Sequence, residues 1–245
     1  MAVDLSQYKI VKQVLDIRYP TAFLLWDRAG HIWDEVSKQF PNVKLKSAQP
    51  NQTSVAITDA MDGVVNNDKA VLIQDVEDSA KQPAFIEAAA IFFPLVIHLL
   101  EVQTLKRVGM RIHFEREFQS SAAASEYFLG ATNSSVAEGK FFNFEGRALD
   151  FERHVRIESD SLGISIKHLT QKQTVNLELP AAAKALLKLS DEQVTPRERN
   201  VVLLDVDYYA HSPMPVGSFH VKRILESWTH AIRRDIARFL NASRI

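Results

Sequence analysis

The chain has 245 residues, 46% of them hydrophobic and 24% charged, with 29 Lys and Arg against 30 Asp and Glu. These values describe a chain able to bury a core rather than a disordered one, and a net charge of −1 supplies none of the positive field that broad nucleic-acid binding needs. The absence of Cys excludes disulfides, thiolate zinc sites, iron–sulfur clusters and Cys nucleophiles.

The N-terminal residues lack the basic and apolar regions of a signal peptide. The longest apolar stretch, 84–100, contains Glu87, Pro94 and His98 and falls short of the roughly 20 residues of a membrane span. The expectation is a soluble, cytoplasmic protein with no membrane partner.

Val14-Leu15-Asp16-Ile17-Arg18-Tyr19 alternates with period two and predicts a strand with one wet face, ended by Pro20. Asp27 is placed to cap a helix carrying Ile32, Trp33, Val36 and Phe40, with Pro41 as its stop. Two or three strands are expected near 43–47, 54–58 and 70–75, with an Asp62-Gly63 turn before the last. Residues 83–104 read as a helix that is apolar all round, hence central, and kinked or restarted at Pro94. The cleanest alternation follows, with Val108, Met110, Ile112 and Phe114 inward and Arg111, His113 and Glu115 outward.

A short helix at 120–129 leads to a polar stretch at 130–146, the best hinge candidate. Within it, Phe141-Phe142-Asn143-Phe144 suggests a docking segment. Strands at 149–158 and 162–168 form a hairpin about Ser159-Asp160-Ser161. A strand at 174–179, a helix at 181–189 and a charged loop at 191–200 come next. The strand 201–209 ends before His211-Ser212-Pro213-Met214-Pro215. Ser218 is placed to cap the last helix, whose Val221, Ile224, Leu225, Trp228, Ile232, Ile236, Phe239 and Leu240 form one apolar stripe.

The expected fold class is α+β, mostly antiparallel sheet packed by long amphipathic helices. Two α+β halves are expected, 1–130 and 131–245, either similar to each other or closed into one unit. Leu15-Asp16-Ile17 echoes Leu149-Asp150-Phe151, which makes internal duplication the matching hypothesis.

Three segments carry a resemblance: 10–19 with its Leu15-Asp16-Ile17-Arg18-Tyr19, then Lys106-Arg107-Val108-Gly109-Met110-Arg111-Ile112, then Leu203-Leu204-Asp205-Val206-Asp207. Together the chain resembles a sporadically distributed bacterial family of similar length, with an EIRF-like first strand, a RLGLRY-like central strand and a LDIDV-like late strand. Its C-terminal helix matches only loosely around His230 and Arg233. Gln13 stands where that family often has Glu, and His113 where it often has Asn. The resemblance implies the fold unit and lends no activity. The family's scattered distribution suits an accessory role, such as a toxin–antitoxin or defence module.

Asp205 and Asp207 are two apart on a strand, so their carboxylates share a face. Such a pair can hold a divalent cation, split into acid and base, or form salt bridges to a neighbouring strand. If the strands adjoin, Asp16, Arg18, Arg111, His113, Glu115, Asp205 and Asp207 form one charged surface. That surface is either a ligand floor, with Arg18 or Arg111 gripping an anion, or a self-paired charge ladder. His98 is expected in the core. His154 and His168 share the hairpin and could be cross-strand neighbours, a weak zinc signal without a third ligand. No GxSxG, GxxxxGK[ST], GxGxxG or HExxH pattern occurs.

The favoured reading is a non-enzymatic protein-interaction or assembly protein whose partner is another protein or a second copy, with no cofactor and no resident metal. One alternative is a metal-dependent hydrolase or nuclease built on Asp205, Asp207, His113 and Glu115. The other is a binder of nucleic acid or a small anion through Arg18, Arg111, Arg233 and Arg234.

Overall fold

Apolar residues at every second position set the strands, and a 3.6-residue apolar stripe sets the helices that cover them. The structure, a computed structural model, describes residues 5–76, 82–132, 139–141, 144–146, 151–175 and 197–242. The first elements are β1 (Lys9–Arg18), α1 (Leu25–Gln39), β2 (Lys44–Gln49), β3 (Gln52–Thr58), β4 (Met61–Asn66), β5 (Lys69–Asp75) and α2 (Gln82–Leu99). There follow β6 (Thr104–Leu105), β7 (Arg107–Phe118), α3 (Ser121–Thr132), β8 (Gly139–Phe141) and β9 (Phe144–Gly146). The last are β10 (Glu152–Glu158), β11 (Leu162–Val175), β12 (Arg197–Ala210), β13 (Met214–Pro215) and α4 (Val221–Ala242).

Nine strands form one antiparallel sheet in the order β10-β11-β12-β7-β1-β5-β4-β3-β2. The mixed α+β class, mostly antiparallel sheet, is therefore as expected. β1 and β7 lie side by side at its middle, with Leu15 opposite Met110 and Ile17 opposite Val108. β7 pairs on its other side with β12 from Val108 to Phe118. The sheet is thus continuous across residue 130, where the sequence suggested a division.

One face of the sheet and the four described helices enclose a single core. Leu15, Ile17, Leu72, Ile112, Leu204 and Val206 from the strands meet Leu25, Ile32, Phe92, Phe93, Phe128, Leu225 and Ile232 from the helices. α2 packs against both α1 and α4, the central place its all-round apolarity predicts. In α4, Val221, Leu225, Trp228, Ile232, Ile236 and Leu240 are buried.

Several local expectations change. Residues 44–75 form four strands, and Asp62-Gly63 lies inside β4 rather than in a turn. Gly63 answers to packing: a Cβ there would sit 2.7 Å from Cε2 of Phe92. Gly63→Ala should therefore destabilise by about 1–3 kcal/mol, measured by urea unfolding, because Phe92 is fully buried and cannot swing away. Asp27 is not the cap of α1. The N-cap is Leu24, without a side-chain bond, and Asp27 sits in the first turn, where a carboxylate suits the helix dipole.

α2 runs through Pro94 as one helix. It ends in a Schellman arrangement, with Val102 N–H donating to the Ile97 carbonyl (3.0 Å) and Glu101 N–H to that of His98 (3.1 Å). Glu101 takes the left-handed conformation there, φ 52°, a place usually given to Gly. Residues 197–200, expected as loop, are the start of β12. Ser218 belongs to a 3-10 turn, Val216–Ser218, ahead of α4 rather than capping it. The expected strand beyond 175, the helix at 181–189, the loop at 191–196, and Leu149 and Asp150 of the sequence echo lie outside the described residues, as do Phe142 and Asn143.

Candidate functional site: the sheet face opposite the described helices

Strand alternation sends every second side chain of the sheet away from the core, to a face on which no described helix packs. On it lie all seven residues of the charged surface, because β1, β7 and β12 are neighbours. His113 is directly opposite Asp205, Arg111 opposite Asp207, and Asp16 opposite Gly109.

The charges are satisfied by one another. The guanidinium of Arg111 donates from Nε to Asp205 Oδ1 (2.6 Å) and from Nη2 to Asp205 Oδ2. His113 Nε2 lies 3.4 Å from the same carboxylate, a charge-pair distance without hydrogen-bond geometry. Burial would raise the Asp205 carboxyl, but the hydrogen bonds from Arg111, with His113 close by, outweigh it and hold that carboxyl well below the usual carboxylate range.

Arg107 bridges two carboxylates. Its Nη1 reaches both oxygens of Asp16 at 2.5 and 2.6 Å, and its Nη2 both oxygens of Asp207 at 2.9 and 2.8 Å. Burial, together with the charge of Asp16, pushes the Asp207 carboxyl up from its ordinary value despite Arg107. Glu115 takes a hydrogen bond from Gln173 (2.9 Å) and pairs with Arg199 (3.4 Å), which also reaches Glu117. Arg18, more than half exposed, leans on Asp16 at 3.5 Å.

Two glycines make this layout possible. Gly109 and Gly163 flank Tyr209 in register. A Cβ on Gly109 would fall 2.5 Å from Arg107 Nη1, and one on Gly163 would fall 2.4 Å from the Tyr209 ring. Without those side chains Arg107 and Tyr209 lie flat on the strands, with the guanidinium 4.8 Å from the ring centroid. The Tyr209 hydroxyl donates to Glu158 (2.7 Å).

The four residues of the hydrolase reading therefore do not converge on a shared ion, and no group of three or more His, Asp or Glu among the described residues could hold one. Arg18 and Arg111 lie on the sheet face, whereas Arg233 and Arg234 stand on α4 in the helix layer, where Arg234 pairs with Asp235 at 2.7 Å. The four arginines do not form one groove. His154 faces Lys167 and His168 faces Arg153, so the two histidines point to opposite sides of the sheet. His168 is wholly buried, and His98 is not a core residue but stands exposed.

Sequence reasoning missed Arg107. Its signal was available, since extending the alternation of β7 back by two residues from Gly109 places Arg107 on the face of Arg111 and His113.

The part of this face nearest β4 is apolar. Val14 lies opposite Ile73, and Val71 opposite Val64. These four partly exposed side chains form a patch bordered by the Lys12–Asp75 and Lys46–Asp62 ion pairs and, toward β7, by Asp16 and Arg111, which lie directly opposite Val71 and Val14. Elsewhere, Phe23 and Trp26 at the start of α1 are 65% and 56% exposed and meet edge to face at 5.7 Å.

A cavity of about 990 Å³ lies between α1, the end of α2 and the segment 215–219. Its one guanidinium, Arg28, is committed to the Leu99 carbonyl (2.5 Å) and to Glu101 (2.7 Å). It stabilises the end of α2 rather than waiting for a ligand.

No helix among the described residues is long and apolar enough to cross a membrane. No protein family model matches the chain, and no curated protein matches it.

Proposed function

We propose that the protein is a non-enzymatic interaction or assembly protein that docks a protein partner on the sheet face opposite the described helices. The observation that carries this is the division of that face. Val14, Val64, Val71 and Ile73 give an uncharged centre with an ion-paired border, the anatomy of a protein interface. Beyond it the charges neutralise one another, so the face offers little to a polyanion.

The metal-assisted hydrolase has one feature in its favour, since Asp205 and Asp207 are pushed in opposite directions, as in acid–base pairs. Against it, both carboxylates are held in guanidinium forks. An accessory place in a bacterial toxin–antitoxin or defence module is the setting we propose, from the family resemblance alone.

The strand order also supports reading the chain as a duplication. Outward from the centre run β1, β5, β4, β3 and β2 on one side and β7, β12, β11 and β10 on the other, so four strands correspond and β2 has no counterpart in the sheet among the described residues. Each series begins strand, helix and closes with a helix, α2 or α4. The repeats then start at β1 and β7, and the division falls near residue 100 rather than at 130.

Gradient sedimentation of native extracts tests the interaction reading. The wild-type chain should run heavier than its 27.7 kDa, and the Val71→Asp/Ile73→Asp variant, folded by circular dichroism, should run at monomer size. Identical sedimentation of the two would contradict it.

A further inference from the structure

We infer that the partner is acidic: the protein segment covering the apolar patch sets a carboxylate between Arg18 and Lys69 at one end of it; this rests on the interaction reading. Arg18 and Lys69 lie directly opposite each other on β1 and β5, and Arg107 lies opposite Arg18 on β7. Three cations therefore stand in a row across adjacent strands, where like charges destabilise a sheet.

The chain's own carboxylates compensate one of the three in full. Arg107 binds both oxygens of Asp16 and both of Asp207. Arg18 shares Asp16 with it, at 3.5 Å, and its side chain is 56% exposed. Lys69 is in no ion pair among the described residues. The chain alone leaves this repulsion standing, and an anion from outside relieves it.

The surroundings define that anion. Lys69 and Val71 share a face two residues apart on β5, so the cations border the patch directly. Toward the other end of the same strand Asp75 is 68% exposed, and on this face Val71 and Ile73 lie between them. A polyanion running along β5 meets apolar side chains and then a carboxylate. A protein segment with apolar residues over Val71 and Ile73, and an Asp or Glu beyond Val71, matches every position.

The same gradient sedimentation, in native extracts at about 0.1 M and about 1 M salt, tests this; the higher salt cuts the screening length from about 10 Å to about 3 Å. The ratio of heavy to monomeric chain should fall about tenfold in Arg18→Gln/Lys69→Gln, and likewise in wild type at the higher salt. The purified double variant should be no less stable to urea than wild type, because it removes a repulsion. Arg223→Gln/Arg238→Gln, which takes exposed charges from α4 instead, should sediment as wild type.

A heavy species that survives the double variant or the higher salt overturns the inference. If Val71→Asp/Ile73→Asp still abolishes that species, the partner docks by apolar contact and the interaction reading stands. If that variant sediments as wild type, both readings fall. Loss of the heavy species on nuclease treatment, or its formation by the purified chain alone, also overturns the inference and assigns the face to a nucleic acid or to a second copy.

Discussion

Replacing Arg107 by Met should destabilise the protein by about 3 kcal/mol at pH 7, read from urea unfolding. The guanidinium lies between Asp16 and Asp207, and the side chains of Arg107 and Asp16 are each only 16% exposed. Its loss leaves two half-buried carboxylates facing each other with no cation between them. Methionine keeps most of the stem and gives up the guanidinium with its contact on the Tyr209 ring, so the loss reports the charged group rather than a hole. In the variant the Asp207 carboxyl, already raised by burial and by the charge of Asp16, loses the guanidinium that opposes the shift and is raised further above its unfolded value. The destabilisation is then full above the carboxylate range and shrinks as pH falls through it. The difference between wild type and variant should therefore be clearly smaller at pH 4 than at pH 7. A constant difference, or one below about 1 kcal/mol as for exposed pairs, would show that the bridge is not formed in solution.

Acidification should weaken the protein through a residue on the other side of the sheet. His168 is fully buried, with its ring 4.7 Å from that of Phe128 and its Nε2 3.4 Å from the Tyr8 hydroxyl. Burial, with the positive charge of Arg153 nearby, lowers its pKa from 6.5 to about 4. Tyr127, near Tyr8, and Arg116, whose guanidinium lies over the Tyr127 ring, complete the surroundings.

A group with a depressed basic pKa costs nothing above its unfolded value. Below pH 6.5 the unfolded chain takes up the proton and the folded one does not, so stability falls until about pH 4. At about 1.4 kcal/mol for each pH unit the loss reaches about 3 kcal/mol. His168→Phe keeps the aromatic contact and removes the proton. It should be less stable than wild type at pH 7 by about 1 kcal/mol, the worth of the hydrogen bond to Tyr8. It should be the more stable of the two at pH 4.5. Parallel stability curves would mean that His168 is not held neutral. Below pH 4 a further loss is expected from Asp205, whose depressed carboxyl stabilises the fold only while ionised.

The two predictions concern opposite faces of one sheet, and how far each was legible differs for physical reasons. β7 and α4 could be read directly, because each shows one period over more than ten residues. The start of β12 could not. Residues 197–200 look like a charged loop because their partners lie elsewhere in the chain: Arg199 pairs with Glu115 and Glu117, some eighty residues away on β7, and Glu198 with Lys172 on β11. Gly63 misled for a similar reason: its cause is the ring of Phe92, a contact that no local pattern announces.

At the site, the shared face of Asp205, Asp207, Arg111 and His113 follows from strand periodicity. The pairing of Arg111 with Asp205, and of Arg107 with Asp16 and Asp207, depends on which strands adjoin, and that order lies beyond periodicity. The apolar patch was invisible for the same reason. Val14, Val64, Val71 and Ile73 come from three strands and read singly as ordinary wet-face residues.

Photo-crosslinking in living cells, with benzoylphenylalanine in place of Val71, tests the central claim most directly. Interaction through the sheet face opposite the described helices predicts a protein adduct from position 71 and none from the same probe in place of Arg234 on α4. No protein adduct from position 71, with strong adducts from position 26 or 157, would contradict it and assign the contact to the helix layer or the sheet edge.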